Sequence, residues 1–165
     1  METAVSQIPR IQLQNIPNND IVFVQLYNSE SDAMNYVVDT SIIISVIARE
    51  KHKHKLIEFT EGADLTAPSS LHWEIGNAFS AMIRRKKVSR QKALAALASY
   101  REIPIRFSDI ELETALELSA NLNIYAYDAY IIGCALKHKF PILTLDKGLM
   151  EAARKAGAAV KEVEL

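Results

Sequence analysis

Five short apolar runs in the second part of the chain alternate with longer stretches whose apolar residues recur every three or four positions. The run NYVVD (35–39) is continuously apolar up to its closing carboxylate, as expected of a strand buried on both faces of a parallel sheet. DLTAP (64–68), IPIRF (103–107), FPILTLD (140–146) and AAVKEVEL (158–165) read as four further strands. Between them lie helical patterns: SIIISVIARE (41–50), HKLIEFTEG (54–62, ending near Gly62) and SSLHWEIGNAFSAMIRRKK (69–87). The last has Ser69 or Ser70 as N-cap and apolar residues Leu71, Ile75, Ala78, Phe79 and Met82 on one face. SRQKALAALASYRE (89–102) is a helix capped by Ser89. SDIELETALELSANL (108–122) is a helix capped by Ser108, with acids in its first turn that suit the dipole. AYDAYIIGCALKHK (126–139) and KGLMEAARKAG (147–157, ending at Gly157) complete the series. Strands alternating with helices predict an α/β fold, a three-layer α/β/α sandwich around a central parallel sheet.

Residues 1–33 differ. QIPRIQLQNIPNND is polar with two prolines, IVFVQLY reads as one strand, and NSESDA reads as a linker. Met34 stands directly before the first regular strand, so the expected functional domain is 34–165, with 1–33 an extension of uncertain status. Charge follows the same division. The net −1 of the 165 residues conceals −3 over residues 1–33 and +2 over 34–165, where 18 basic residues face 16 acidic ones. That balance gives no general attraction for a polyanion. With 49% hydrophobic residues the chain is long enough to bury a core, and no window reaches 18 uncharged apolar residues, so no membrane association is expected. The single cysteine, Cys134, cannot form an internal disulfide and reads as a small buried residue, with the cytoplasm as the expected location.

In a parallel α/β sheet, ligands bind beyond the carboxyl ends of the strands. Asp39 and Asp146 each close a strand there. Either one is also an ordinary helix N-cap. Glu74 and Asp128 sit near helix starts in apolar surroundings, with no Lys or Arg within four residues of either. A charge so placed is costly unless something pairs with it. Exposed or capping acids are the plain alternative; a shared cation would meet the need of both. Four carboxylates without a His or Cys cluster make an oxygen donor set, which suits Mg²⁺ or Mn²⁺ better than Zn²⁺. Thr40, Ser41 and Thr144 flank the acids, and Asn77 follows Glu74 by three residues on the same helix face.

YVVDTSIIIS, the EIGNAF that starts at Glu74, YDAYIIGCAL and PILTLDKGL, spaced so that the acids lie 35, 54 and 18 residues apart, together resemble the PIN-domain ribonucleases, most of all VapC-type toxins of toxin–antitoxin pairs. The likeness covers about 34–165. It implies a metal-dependent endoribonuclease with Asp39, Glu74, Asp128 and Asp146 as catalytic and metal-binding residues. Thr40, Ser41, Asn77 and Thr144 would support them, and Mg²⁺ or Mn²⁺ would be the cofactor. The implied partners are an RNA substrate, a cognate antitoxin protein and a second copy in a homodimer. The 33-residue extension departs from the family pattern, whose chains begin near the first strand.

The basic run Arg84, Arg85, Lys86 and Lys87 offers a weak RNA contact, or a solvated helix end where cations suit the dipole. His52 and His54 in KHKHK are two residues apart and do not share a helix face, so that segment reads as a solvated basic surface. Trp73, Tyr125, Tyr127 and Tyr130 offer stacking surfaces for bases, although a Trp beside a helix start is ordinarily core. Leu112, Leu116 and Leu118 read as core packing. A catalytically silent binding or scaffold module is the alternative function. An aspartyl-phosphate enzyme is disfavoured because position 41, where a second Asp is wanted, holds Ser41.

Overall fold

A computed structural model describes residues 10–14, 22–27, 34–48 and 53–163. In chain order the elements are β1 (Arg10–Gln14), β2 (Val22–Tyr27), β3 (Asn35–Val38), α1 (Thr40–Ile47), α2 (Lys53–Thr60), β4 (Asp64–Pro68), α3 (Leu71–Arg84), α4 (Arg90–Arg101), β5 (Ile105–Ser108), α5 (Leu112–Leu122), α6 (Ala126–His138), β6 (Ile142–Leu143), α7 (Lys147–Lys155) and β7 (Val160–Lys161). Strands β3 to β7 form one all-parallel sheet in the order β5-β4-β3-β6-β7. β1 and β2 pair antiparallel as a separate two-stranded sheet. The sequence predicts only the second of these. The first lies in a segment read as merely polar, yet its RIQLQ alternates apolar and polar residues with the period of a strand.

The pleat of β3 divides the core. Tyr36 and Val38 face one way, onto α1, α2, α3 and α4 through Ile42, Ile43, Leu56, Leu71, Ile75 and Phe79. Val37 faces the other way, onto α6 and α7 through Ile131, Ile132, Cys134, Leu149 and Ala153. Val37 and Val38 are completely buried. Each such side chain contributes about 1.5–3 kcal/mol. The layers are therefore helix, sheet, helix, as the alternation predicts. Cys134 is buried, and burial pushes its thiol up to about 11, so it packs as a small hydrophobe.

Several local expectations are corrected. Ser108 does not cap α5: it is still paired with Pro68 in the sheet, and its hydroxyl meets His138 Nε2 at 2.8 Å, while the helix starts at Leu112. α3 stops at Arg84 rather than Lys87, because Lys86 adopts φ 56° and its N–H and that of Lys87 bond back to Ile83 and Met82. α1 ends at Ile47, and residues 49–52, including His52, lie outside the described residues. Leu112 and Leu116 are exposed, because α5 is the outer helix and turns Ala115, Leu118 and Leu122 toward α6. Trp73 is also exposed, not core.

The chain steps from β3 through β4 to β5 on one side, then returns to place β6 and β7 on the other. The switch point lies between β3 and β6, where an open α/β sheet forms its ligand crevice. Asp39 follows the first of these strands and Thr144 the second.

Candidate active site

The register of the two central strands builds the first half of the site. Val38 pairs with Leu143, and the Asp39 N–H donates to the Leu143 carbonyl at 3.1 Å, so Asp39 and Thr144 come level one residue later. The buried Thr144 hydroxyl donates to Asp39 Oδ2 at 2.8 Å and accepts from the Asp146 N–H at 2.9 Å. Asp39 is also the N-cap of α1, where the Ser41 N–H and hydroxyl donate to the same Oδ2 at 3.2 and 2.5 Å. The Ser41 oxygen in turn accepts from the Leu145 N–H at 3.0 Å. One carboxylate oxygen thus takes three bonds, while Oδ1 takes none from the described residues. Asp146 caps α7 in the same manner: its Oδ1 accepts from the N–H groups of Gly148 (2.7 Å) and Leu149 (3.1 Å), and Oδ2 takes no bond from the described residues.

The other half comes from helix starts. Glu74 lies in the first turn of α3, its Oε2 accepting from the Thr40 hydroxyl at 2.9 Å and its Oε1 from the Ser70 hydroxyl at 3.2 Å. Thr40 therefore ties the start of α1 to that of α3. Ser70 occupies the N-cap position in αR geometry and makes no side-chain cap, so its hydroxyl is directed to Glu74 instead. This support is missing from the sequence reading, although Ser70 and Glu74 stand at the i, i+4 spacing of helical neighbours. Asp128, in the first turn of α6, is half-buried and makes no hydrogen bond or ion pair with the described residues.

Two of the acids are shifted, and in both the charges of others of the four contribute. Loss of hydration is the main cause that raises the Glu74 carboxyl above its ordinary value; the Thr40 bond pulls against it, and the charges of Asp39 and Asp128 add to it. Asp128 is raised likewise, first by burial and then by Asp146 and Asp39. None of the four acids pairs with a cation among the described residues. No three His, Cys, Asp or Glu side chains among the described residues stand close enough to share one ion in this conformation. The donor chemistry nevertheless fits a hard dication: oxygen ligands only, two of them oxygens of helix-capping aspartates with no bond from the described residues, and a half-buried carboxylate with no partner among those residues.

Asn77 is exposed, one turn beyond Glu74, and makes no described bond. Arg84, Arg85, Lys86 and Lys87 are exposed at the opposite end of α3. At about 1.5 Å per residue they begin roughly 15 Å from Glu74.

The sequence pattern of the PIN domain matches residues 36–155, more than two thirds of the chain. No curated protein matches it. Solved structures do. PAE2754 from Pyrobaculum aerophilum superposes with a TM-score of 0.59 at 22% identity, covering 72% of this chain and 79% of its own. VapBC2 from Rickettsia felis, bound to a DNA fragment from its promoter, gives 0.57 at 15% identity, over 78% and 98%. Mycobacterium tuberculosis VapC20, a Sarcin-Ricin loop cleaving toxin, gives 0.54 at 15%, over 71% and 94%. At these identities the likeness is one of fold. With the pattern matched across both central strands and all four acids, the chain belongs to the PIN domain family, a family of nucleases.

Proposed function

We propose that this protein is a metal-dependent endoribonuclease that acts in the cytoplasm as the toxin of a toxin–antitoxin pair, with residues 34–165 as its working domain. One observation carries the reading: four carboxylates from four separate elements couple electrostatically at the switch point of the sheet, without a basic partner. Such an arrangement opposes folding unless a cation offsets it. Asp39, Glu74, Asp128 and Asp146 would hold Mg²⁺ or Mn²⁺. When bound, the cation supplies charge neutralisation at the phosphodiester and lowers the pKa of water there.

The chain's own residues then have distinct tasks. Thr144 and Ser41 fix Asp39 through Oδ2 and leave Oδ1 for the ligand. Thr40 and Ser70 hold both oxygens of Glu74, which sets its orientation. Asp128 has no hydrogen bond among the described residues to fix it, so its carboxylate can turn toward the cation or toward the attacking water. The likeness to VapBC2 supports a cognate antitoxin protein as partner, and the family resemblance adds a second copy of this chain in a homodimer.

The test is the purified full chain incubated with total RNA, with the new 5′ ends mapped. Cleavage at one dominant site is expected in Mg²⁺ or Mn²⁺, lost in EDTA. D39N, E74Q, D128N or D146N should lower it by about 100-fold or more, the scale of several kcal/mol in the transition state. Full activity in EDTA or in D39N would remove the metal-site assignment.

A further inference from the structure

α4 is rich in alanine (RQKALAALASYR), and its small side chains leave space where it packs on α1 and α3. A groove of about 510 Å³ results. Its floor is apolar: Ile47 from the end of α1, Phe79 and Met82 from α3, Val88 from the connecting turn, Ala95 and Ala96 from α4. Lys87 and Lys92 also line it. Arg84, Arg85, Lys86 and Arg90 adjoin these lysines in the chain. All of these bases are exposed, and none makes an ion pair among the described residues. Between Glu74 and Glu102 the chain has no acidic residue to balance them. An apolar floor within a cationic rim suits an acidic segment that carries apolar side chains. It suits a nucleic acid less well: Phe79 is buried, so the floor offers a base no open ring to stack on.

Residues 1–33 have the matching chemistry. Glu2, Asp20, Glu30 and Asp32 outnumber Arg10, and the β2 sequence VFVQLY is apolar but for Gln25 and the tyrosine hydroxyl. Among the described strands β1 and β2 pair only with each other. A lone two-stranded hairpin is marginal in water and needs a further surface, such as a helix, to pack on. Reach and direction agree. Met34, where the extension joins the domain, sits at the foot of the sheet, its carbonyl accepting from the Asp64 N–H at 2.9 Å. α1 starts at the carboxyl end of β3, and its crossover with α2 brings the chain back to that foot, so the groove at the end of α1 lies on the side from which the extension departs. Residues 28–33 span at most about 20 Å, more than the width of a helix, about 10–12 Å.

We propose that the N-terminal hairpin docks in this groove of its own chain, with β2 on the apolar floor and Glu30 and Asp32 against Lys87 and Lys92. The extension is then a built-in occupant, and it competes with any other molecule for the face formed by α1, α3 and α4. This contact is independent of the four acids and of any cation they hold.

The experiment is zero-length cross-linking of carboxylates to amines with a carbodiimide. It uses the full chain, as an equal mixture of isotope-labelled and unlabelled protein, and the linked peptides are mapped by mass spectrometry. Links from Glu30 or Asp32 to Lys87 or Lys92 are expected, each within one chain and so without mixing of the labels. Ala95 is exposed, so A95W fills the groove without disturbing the core and should cut these links several-fold. E30K/D32K should abolish them. Adding K87E/K92E to E30K/D32K should restore them with the roles exchanged, and melting curves confirm that each variant is folded. Links in A95W at the wild-type yield would reveal a diffuse charge attraction without a seat and overturn the proposal. Links that mix the labels would give the groove to a second copy. Absence of links in the wild-type chain would leave the groove to another protein or to RNA. Either result overturns docking within the chain.

Discussion

Thr144→Val separates hydrogen bonding from packing at the centre of the site. Thr144 is fully buried, and its hydroxyl both donates to Asp39 Oδ2 and accepts from the Asp146 N–H. Valine keeps the side-chain volume and removes both bonds. A hydrogen bond to an ionised carboxylate contributes about 1.5–3 kcal/mol, and an orphaned N–H costs about 1–3 kcal/mol. Asp146 itself is exposed, so water reaches that N–H and its share falls to the low end. The expected loss is therefore about 2–4 kcal/mol, a large part of the roughly 5–15 kcal/mol that holds a domain together. In a domain of this size it lowers Tm by about 5–15 °C.

Thr144→Ser is the control. It keeps the hydroxyl and deletes one buried methyl group, which costs about 1 kcal/mol. Thermal and urea unfolding of the three proteins should rank them wild type, T144S, T144V. If packing dominated, the volume-conserving T144V would be the milder change. A T144V protein that melts with or above T144S would refute the bonding scheme proposed for Asp39.

Two further outcomes follow from the same site and its neighbour. Glu74 and Asp128 are both raised, mainly by burial, so the folded protein holds their protons more tightly than the unfolded chain. Their contribution to stability is full below the ordinary carboxylate range near pH 4 and is lost as pH rises through the raised values. In EDTA, D128N should therefore melt up to about 3 °C above wild type at neutral pH and converge with it toward pH 4, while Mg²⁺ should raise the wild-type Tm more than that of D128N; melting curves that do not respond to pH, Mg²⁺ or EDTA would contradict the coupling. Ser45, buried in α1, has a hydroxyl with no partner among the described residues; Ser45→Ala should add about 1 kcal/mol and 2–4 °C, and a lower Tm would show that the hydroxyl is paired.

Much of this fold is legible because local signals and burial agree. DLTAP is predicted over residues 64–68 and forms β4 over Asp64–Pro68, with a proline closing it. Ser89 caps α4 by accepting from the Lys92 N–H, as read. Errors arise where one level of organisation cannot inform another. Lys86 ends α3 in the left-handed region without the Gly or Asn that usually marks such a stop. Leu112 and Leu116 follow a helical apolar period, yet periodicity does not say which of two stripes on an outer helix meets its neighbour. Trp73 lies beside Leu71 and Ile75, both buried, but a step of one residue turns a side chain about 100° around the helix. Apolar character alone made it core; its angular position made it surface.

For Asp39 the capping role is observed, and it leaves one oxygen over for the proposed ligand role. The capping N–H of Ser41, the Ser41 hydroxyl and the Thr144 hydroxyl all use Oδ2. Oδ1 is left free by the same geometry that holds the cap. Asp146 repeats the division with its labels exchanged, Oδ1 serving the start of α7 and Oδ2 remaining free. An aspartate that caps the helix following its strand is thus already oriented, at no further cost in side-chain ordering, with one oxygen not used by the cap. Two such residues on either side of a switch point would give the proposed cation site two of its ligands from ordinary helix starts. What distinguishes this protein from a sheet with two well-capped helices is therefore carried by Glu74 and Asp128, the acids that no capping requirement explains.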